Sequence, residues 1–324
     1  MAIAFDQIIV AVGDMIPLTL AARAVSATVG DARLALCMHR VGEYDGSRVR
    51  ADVTCPADTL DAIVTALLDT RSAKREPWLT VTFDDGYLDA VEYVRSRAPR
   101  FPSVEWIVFV CPEKAELGAG FRWDVPGASA GAARGAMNPD TENHCPQLRA
   151  AGQASDTRVA TTMELRRLLA IPNAALGNHT NTHALQVRLS SVQADAEYAR
   201  SIADFERLFG PQRHFAYPFG TPQHEVTEQH VRLLWTHGDF DVWTTEPRPY
   251  TSAERARGAP LPRYSPSGRW SASGIMLWIA AHALRRRLRP RRATFGPELV
   301  RRRAGDDASA GPYPTRSATT EVRA

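Results

Sequence analysis

Residues 78–87 read Trp78-Leu79-Thr80-Val81-Thr82-Phe83-Asp84-Asp85-Gly86-Tyr87. The first six are β-branched, aromatic or otherwise apolar, the content of a β-strand, and the Asp-Asp-Gly punctuation stops it. A helix is expected over residues 88–96 and a second strand over 104–110. Strand, helix and strand in succession argue for a parallel α/β architecture.

The same rhythm extends outward. Upstream, residues 35–38 read as a short buried strand ending at His39-Arg40-Val41, and Asp58 as the cap of a helix reaching about residue 70. Residues 1–30, apolar with small side chains, predict one or two helices packed on the main body. Downstream, residues 112–160 are rich in Gly, Ala, Pro and Asn and break the pattern as an irregular insertion, although Phe121-Arg122-Trp123 could dock back. Thr161 and Glu164 form a capping box opening a helix to about Ala170. Residues 174–176 read as a strand, and Ser190 or Ser191 caps a long helix closed by Gly210. Further strands are expected over 215–218 and 241–244. The domain reading is a helical segment 1–33, a main domain 34–268, a basic helical segment 269–303 and a disordered tail 304–324.

Bulk properties narrow the class. With 324 residues, 44% hydrophobic and 23% charged, the chain can bury a sizeable core. Net charge is +3, and lysine occurs only at Lys74 and Lys114, so the base is nearly all arginine. No basic-aromatic interleaving points to nucleic acid. Cys37, Cys55, Cys111 and Cys145 form no short-spaced pattern and read as free thiols or small hydrophobes. No apolar run reaches the ~18 residues of a membrane span, and Asp6 and Asp14 interrupt the opening stretch, so a cytoplasmic location is expected. Residues 270–292 join an uncharged stretch to an arginine run. They read either as a core-docked helix with a solvated end or as a peripheral contact with anionic lipid.

The chemistry lies at two strand ends. Asp84 and Asp85 are adjacent, so one carboxylate can bind metal while the other stays free as a base. Gly177-Asn178-His179-Thr180-Asn181-Thr182-His183 follows a predicted strand, and a helical turn there would set both imidazoles on one side. Two histidines and a carboxylate make a facial ligand set with open positions. Such a set suits metal-assisted hydrolysis of an amide or ester. Each pattern alone is weak; both after strands of one parallel α/β pattern are much stronger, since such folds place active sites at C-terminal strand ends.

These segments resemble the polysaccharide deacetylase (NodB-homology) family. Residues 82–87 (TFDDGY) and 177–183 (GNHTNTH) look like its first two motifs. Residues 215–220 (FAYPFG), 261–263 (LPR) and 38–41 (MHRV) look like further elements of one variant. The resemblance covers about residues 34–265. It implies a distorted parallel (β/α) barrel, a divalent metal (zinc first, with cobalt, nickel, manganese or iron as others), and removal of acetyl groups from N- or O-acetylated sugars. Carried over by motif, Asp84 is the general base, and Asp85, His179 and His183 are the metal ligands. A backbone N–H of the Tyr217-Pro218-Phe219 loop serves the oxyanion, and Trp243 either walls the acetyl pocket or belongs to the core.

Two departures stand out. Ala216 occupies the place where many members carry an arginine paired with the catalytic aspartate, and Arg263 is the candidate to supply that charge from another strand. No late Leu-His motif is present, because His282 lies in a helix that looks peripheral. His39 is therefore the candidate general acid, or else a satisfied core histidine. The expected partner is an acetylated carbohydrate: a polysaccharide, an oligosaccharide, or a lipid- or nucleotide-linked precursor, as in exopolysaccharide biosynthesis. Another metal-dependent amide hydrolase and a degenerate glycan-binding protein remain as alternatives.

Overall fold

Seven parallel strands order the molecule: β1 (Leu34–Met38), β4 (Leu79–Phe83), β5 (Val104–Val110), β6 (Ala174–Asn178), β7 (His214–Ala216), β8 (Asp241–Thr244) and β9 (Leu261–Pro262), neighbours in that sequence. Two short strands, β2 (Arg40–Val41) and β3 (Thr54–Cys55), pair separately. In this computed structural model the residues described are 2–43, 52–71, 77–118, 120–124, 158–288, 295 and 299–301. Just past β9 the sheet curls back onto its first strand. The Tyr264 N–H donates to the Ala35 carbonyl at 2.8 Å, and the Cys37 N–H donates to the Tyr264 carbonyl at 2.7 Å. The result is the distorted (β/α) barrel expected from the sequence.

Strand β5 shows how the sequence builds it. Ile107 and Phe109 point into the barrel with Ala35, Ala216, Trp243, Tyr250 and Leu261. Val104, Trp106, Val108 and Val110 alternate outward under the helices, in the core shared with β1 and β4. Strands covered on both faces read as near-continuous apolar runs, which is why residues 78–83 and 104–110 were legible.

The helices are α1 (Ala2–Gly13), α2 (Leu18–Val29), α3 (Ala57–Asp69), α4 (Leu88–Arg97), α5 (Pro112–Leu117), α6 (Thr162–Arg166), α7 (Ser191–Phe209), α8 (Glu228–Trp235), α9 (Ser252–Ala256) and α10 (Ala272–Leu288). The Thr161–Glu164 capping box is present, and Ser190 caps α7 through the Gln193 N–H. Asp58 is not a cap. Helix α3 starts after Pro56, and Asp58 lies in its first turn, where a carboxylate favours the helix dipole. The irregular stretch also begins later than expected. Pro112, set for a first helical position, opens α5, and Arg122–Asp124 forms a 3₁₀ turn. The rest of that insertion (125–157, with Cys145) and the tail 304–324 lie outside the described residues.

Helix α10 is docked. Ile275, Met276, Trp278, Ile279 and Ala283 are buried in the same core as Val10 of α1 and Val25 of α2. Helices α1 and α10 touch closely, for a Cβ on Gly13 would stand 2.6 Å from the Gly274 Cα. Among the described residues no helix is long and apolar enough to cross a membrane.

Candidate active site

All the chemically notable side chains gather at the C-terminal ends of the barrel strands: His39 after β1, Asp84 and Asp85 after β4, His179 after β6, Phe219 after β7 and Arg263 after β9. The turn after β4 explains the divergence of its two carboxylates. Asp85 and Gly86 both adopt left-handed backbone, with φ of 74° and 71°. A non-glycine residue held there costs on the order of 1 kcal/mol or more, and such strain clusters at functional sites. Thr180, His183 and Phe219 share the conformation, with φ of 63°, 61° and 63°. The two histidines are therefore brought together by a looped segment with left-handed residues, and not by the helical turn expected from their spacing.

Asp85 faces both imidazoles. Its Oδ1 lies 3.1 Å from His183 Nε2 and 3.6 Å from His179 Nε2. The Nδ1 of His179 is 2.8 Å from the Ala216 carbonyl. A carbonyl accepts only, so Nδ1 carries the proton and Nε2 presents its lone pair to Asp85, the usual device for orienting a metal-bound histidine. Burial lowers the His179 pKa to about 4, outweighing the nearby carboxylates, so its ring is neutral near pH 7, as a ligand must be. Asp85 Oδ1 and His183 Nδ1 are buried without an aligned hydrogen-bond partner. The potential ligand atoms of Asp85, His179 and His183 all lie within 4.8 Å of one another. An orphaned buried carboxylate oxygen facing two imidazole nitrogens fits a divalent cation.

Asp84 has the opposite environment. Arg263 donates from Nη1 to Oδ1 at 2.6 Å and from Nη2 to Oδ2 at 2.9 Å. The same Nη1 reaches Thr82 Oγ1 at 2.9 Å, and the guanidinium lies over the Phe109 ring. Burial opposes ionisation of Asp84, but the Arg263 charge and its hydrogen bonds, helped by His179, hold the carboxyl well below the usual range. A third contact was not foreseen: the Cys37 thiol donates to Asp84 Oδ2 at 3.4 Å. Burial pushes that thiol up, keeping it neutral. His39 is half-buried, and a ring nitrogen lies within 4.8 Å of both the Cys37 sulfur and an Asp84 oxygen.

Further supports were invisible in the sequence. Glu197 of α7 accepts from the Asn181 N–H (2.9 Å), the Thr182 N–H (2.7 Å) and the Thr182 hydroxyl (3.0 Å), fixing the histidine loop. The Tyr87 phenol donates to Asp124, and the Trp123 indole donates to the Tyr87 oxygen at 2.8 Å. This anchors the 3₁₀ turn, so Phe121 and Trp123 flank His183 with ring centroids 5.2 and 5.1 Å away. The docking allowed for Phe121-Arg122-Trp123 is thus observed. A capping Ser or Thr announces its role locally, whereas Glu197 and Tyr87 act across folded distance.

A cavity of about 380 Å³ opens on Asp84, His39, Arg263, Phe219 and Glu225, and Trp278 of α10 lines it too. Helix α10 therefore reaches the site, although His282 itself faces Asp6 at 3.1 Å. A larger groove of about 810 Å³ between α2 and α3 holds none of these groups. Two expected residues sit elsewhere. The Tyr217 phenol donates to the His230 carbonyl in the helix-side core. Trp243 is fully buried inside the barrel and donates to His214 Nδ1.

No family model matches the sequence, and no curated protein matches it. The fold is similar to solved deacetylases. A polysaccharide deacetylase from Bacillus cereus superposes with a TM-score of 0.53 at 16% identity, over 76% of this chain and 69% of that one. A Streptococcus pyogenes deacetylase solved in complex with acetate superposes with a TM-score of 0.52 at 12% identity, over 75% of this chain and 96% of that one.

Proposed function

We propose that this protein is a metal-dependent hydrolase that removes acetyl groups from an acetylated carbohydrate. One juxtaposition carries the reading: an Asp85–His179–His183 ligand set beside an arginine-held carboxylate, Asp84, with a cavity opening on that carboxylate. The sugar is inferred from the fold shared with solved polysaccharide deacetylases.

A divalent cation held by Asp85, His179 and His183, zinc before cobalt, nickel, manganese or iron, would supply Lewis-acid polarisation and a more acidic water. Asp84 accepts the proton of the attacking water. Arg263 occupies one lone pair on each Asp84 oxygen and keeps the group ionised, and the Cys37 thiol takes a second on Oδ2, leaving one on Oδ1 for that proton. A backbone N–H of the Tyr217–Phe219 loop donates to the acetyl oxygen as it gains charge. His39 delivers a proton to the departing amine nitrogen as the C–N bond breaks. Acetate and a free amino sugar result; for an O-acetyl group the leaving atom is oxygen.

The Arg263–Asp84 pairing favours turnover over a degenerate binding role, because the charge missing at Ala216 is supplied. Acetate release from N-acetylglucosamine oligosaccharides and from lipid- or nucleotide-linked amino sugars, with and without added zinc or cobalt, tests the proposal. Metal-dependent acetate that vanishes in Asp84→Asn and His179→Ala supports it. A folded, metal-loaded protein that releases no acetate, or that cleaves only small non-sugar amides, overturns it.

A further inference from the structure

Helix α1 and the turn that follows it carry an apolar stripe that faces outward. Phe5, Ile8, Val12 and Met15 follow at steps of three and four residues, and Ile8 and Met15 are 63% and 76% exposed. Leu20 is exposed just beyond the turn into α2. The opposite face of α1, with Val10, belongs to the core. The two acids that interrupt this segment in sequence each have a partner: Asp6 faces His282 of α10, and Asp14 accepts from the Ser271 hydroxyl.

Arginines stand at one end of the stripe. Arg285 lies with its guanidinium 5.7 Å from the Phe5 ring centroid. Arg287 is exposed on the same end of α10 and donates to the Ala27 carbonyl, with Leu284 and Leu288 exposed next to it. An apolar ridge with arginines at one end, its two aspartates already partnered, complements an anionic, amphipathic surface. Helix α1 has 12 residues and is about 18 Å long at ~1.5 Å per residue. The hydrocarbon core is ~30 Å thick, so such a helix would lie in the interface and not cross it.

We infer that the outer face of α1, with Arg285 and Arg287 of α10, docks the protein on an anionic lipid surface. The apolar side chains Ile275, Trp278 and Ile279 are not the docking element, since they are committed to the core. Each arginine at a negatively charged surface is worth roughly 5-fold in affinity.

The test is sedimentation of the full chain with vesicles of phosphatidylglycerol and phosphatidylcholine in equal parts, against phosphatidylcholine alone. The variants are Ile8→Glu with Met15→Glu, Arg285→Glu with Arg287→Glu, and Leu169→Glu, which alters an exposed leucine on another face. Expected are binding to the anionic vesicles that weakens with salt, at least a 10-fold loss in each of the first two variants, and no loss in Leu169→Glu. Amide hydrogen exchange over residues 5–15 should slow when anionic vesicles are added, a readout on the unaltered chain. Lack of binding to anionic vesicles, equal binding by the α1 variants, or a dimer in solution that Ile8→Glu dissociates would each overturn the inference. None of these readouts needs turnover, so they stand apart from the hydrolase assay.

Discussion

Replacing Arg263 by alanine should cost far more stability than losing an ordinary ion pair, and the cost should depend on pH. The side chain is fully buried and makes two hydrogen bonds to a carboxylate that is itself 3% exposed. An exposed pair is worth ~1 kcal/mol or less, but removing one partner of a buried pair strands the other charge and costs ~3–5 kcal/mol. For a domain of this size that is roughly 6–20 °C in Tm. In the wild type the depressed Asp84 pKa stabilises the fold above the ordinary value of 3.8, and this contribution is lost as pH falls below it. Without Arg263, burial becomes the dominant influence and raises the Asp84 pKa, so ionised Asp84 opposes folding as pH rises. The gap between wild type and Arg263→Ala should therefore widen above about pH 4. Adding Asp84→Asn should recover part of the loss, giving a coupling of ~2 kcal/mol or more. Arg263→Lys should sit between, restoring charge without the bidentate fork. Chemical denaturation in chelator from pH 3.5 to 8 measures all of this. A pH-independent cost below ~1 kcal/mol, or simple additivity of the two substitutions, would refute the reasoning.

Three shorter predictions accompany it. His179→Ala should abolish stoichiometric metal binding and the zinc-dependent rise in stability, ~2.7 kcal/mol at a hundredfold excess over Kd; equimolar zinc retained in mass spectrometry would contradict the ligand assignment. Glu105 is half-buried, and although desolvation opposes it, the hydrogen bonds and ion pair with Arg255 lower its pKa from 4.5 to about 2. The stability difference between wild type and Glu105→Gln should thus be full above pH 4.5, on the order of 3 kcal/mol, and close as pH falls towards 2, as read from denaturation midpoints. Gly177→Ala would place a Cβ 2.4 Å from the Phe109 ring, on which Arg263 rests. It should cost ~1–3 kcal/mol by overpacking and lower kcat, and an unchanged Tm would count against this packing.

What the sequence made legible follows from the range over which each residue acts. The strands over 78–83 and 104–110 announce themselves because both faces are covered, and Thr161 and Ser190 act on N–H groups three residues away. The Asp84–Asp85 and His179–His183 pairs are chemically conspicuous wherever they occur. Their geometry was less legible: four-residue spacing suggested a helical turn, whereas left-handed backbone at Thr180 and His183 turns the rings together. Cys37 read only as a free thiol or small hydrophobe because nothing near it in sequence shows that β1 will lie beside Asp84. The helix that holds His282 read as peripheral because the cavity its Trp278 lines is built from strands far from it in sequence.

Arg263 shows how a charge reaches a buried carboxylate from a strand distant in sequence. Asp84 and Arg263 are 179 residues apart, and β9, which precedes Arg263, is bonded to β8 at the far end of the sheet order. They meet because the ring closes. Tyr264 pairs with Ala35 and Cys37 of β1, and the Asp84 N–H donates to the Met38 carbonyl at the end of that same strand. Residue 263 therefore faces residue 84 across one intervening strand. In a closed barrel all C-terminal strand ends border one space, so a guanidinium need only enter it from some strand, not from β7 in particular. The alanine at residue 216 then has a positive consequence. Its small side chain packs inside the barrel beside Phe109, whose ring lies under the guanidinium that comes from β9. An arginine placed at residue 216 would compete for Asp84 within that packed interior, so sequence position alone is a poor guide to which charge pairs with that carboxylate.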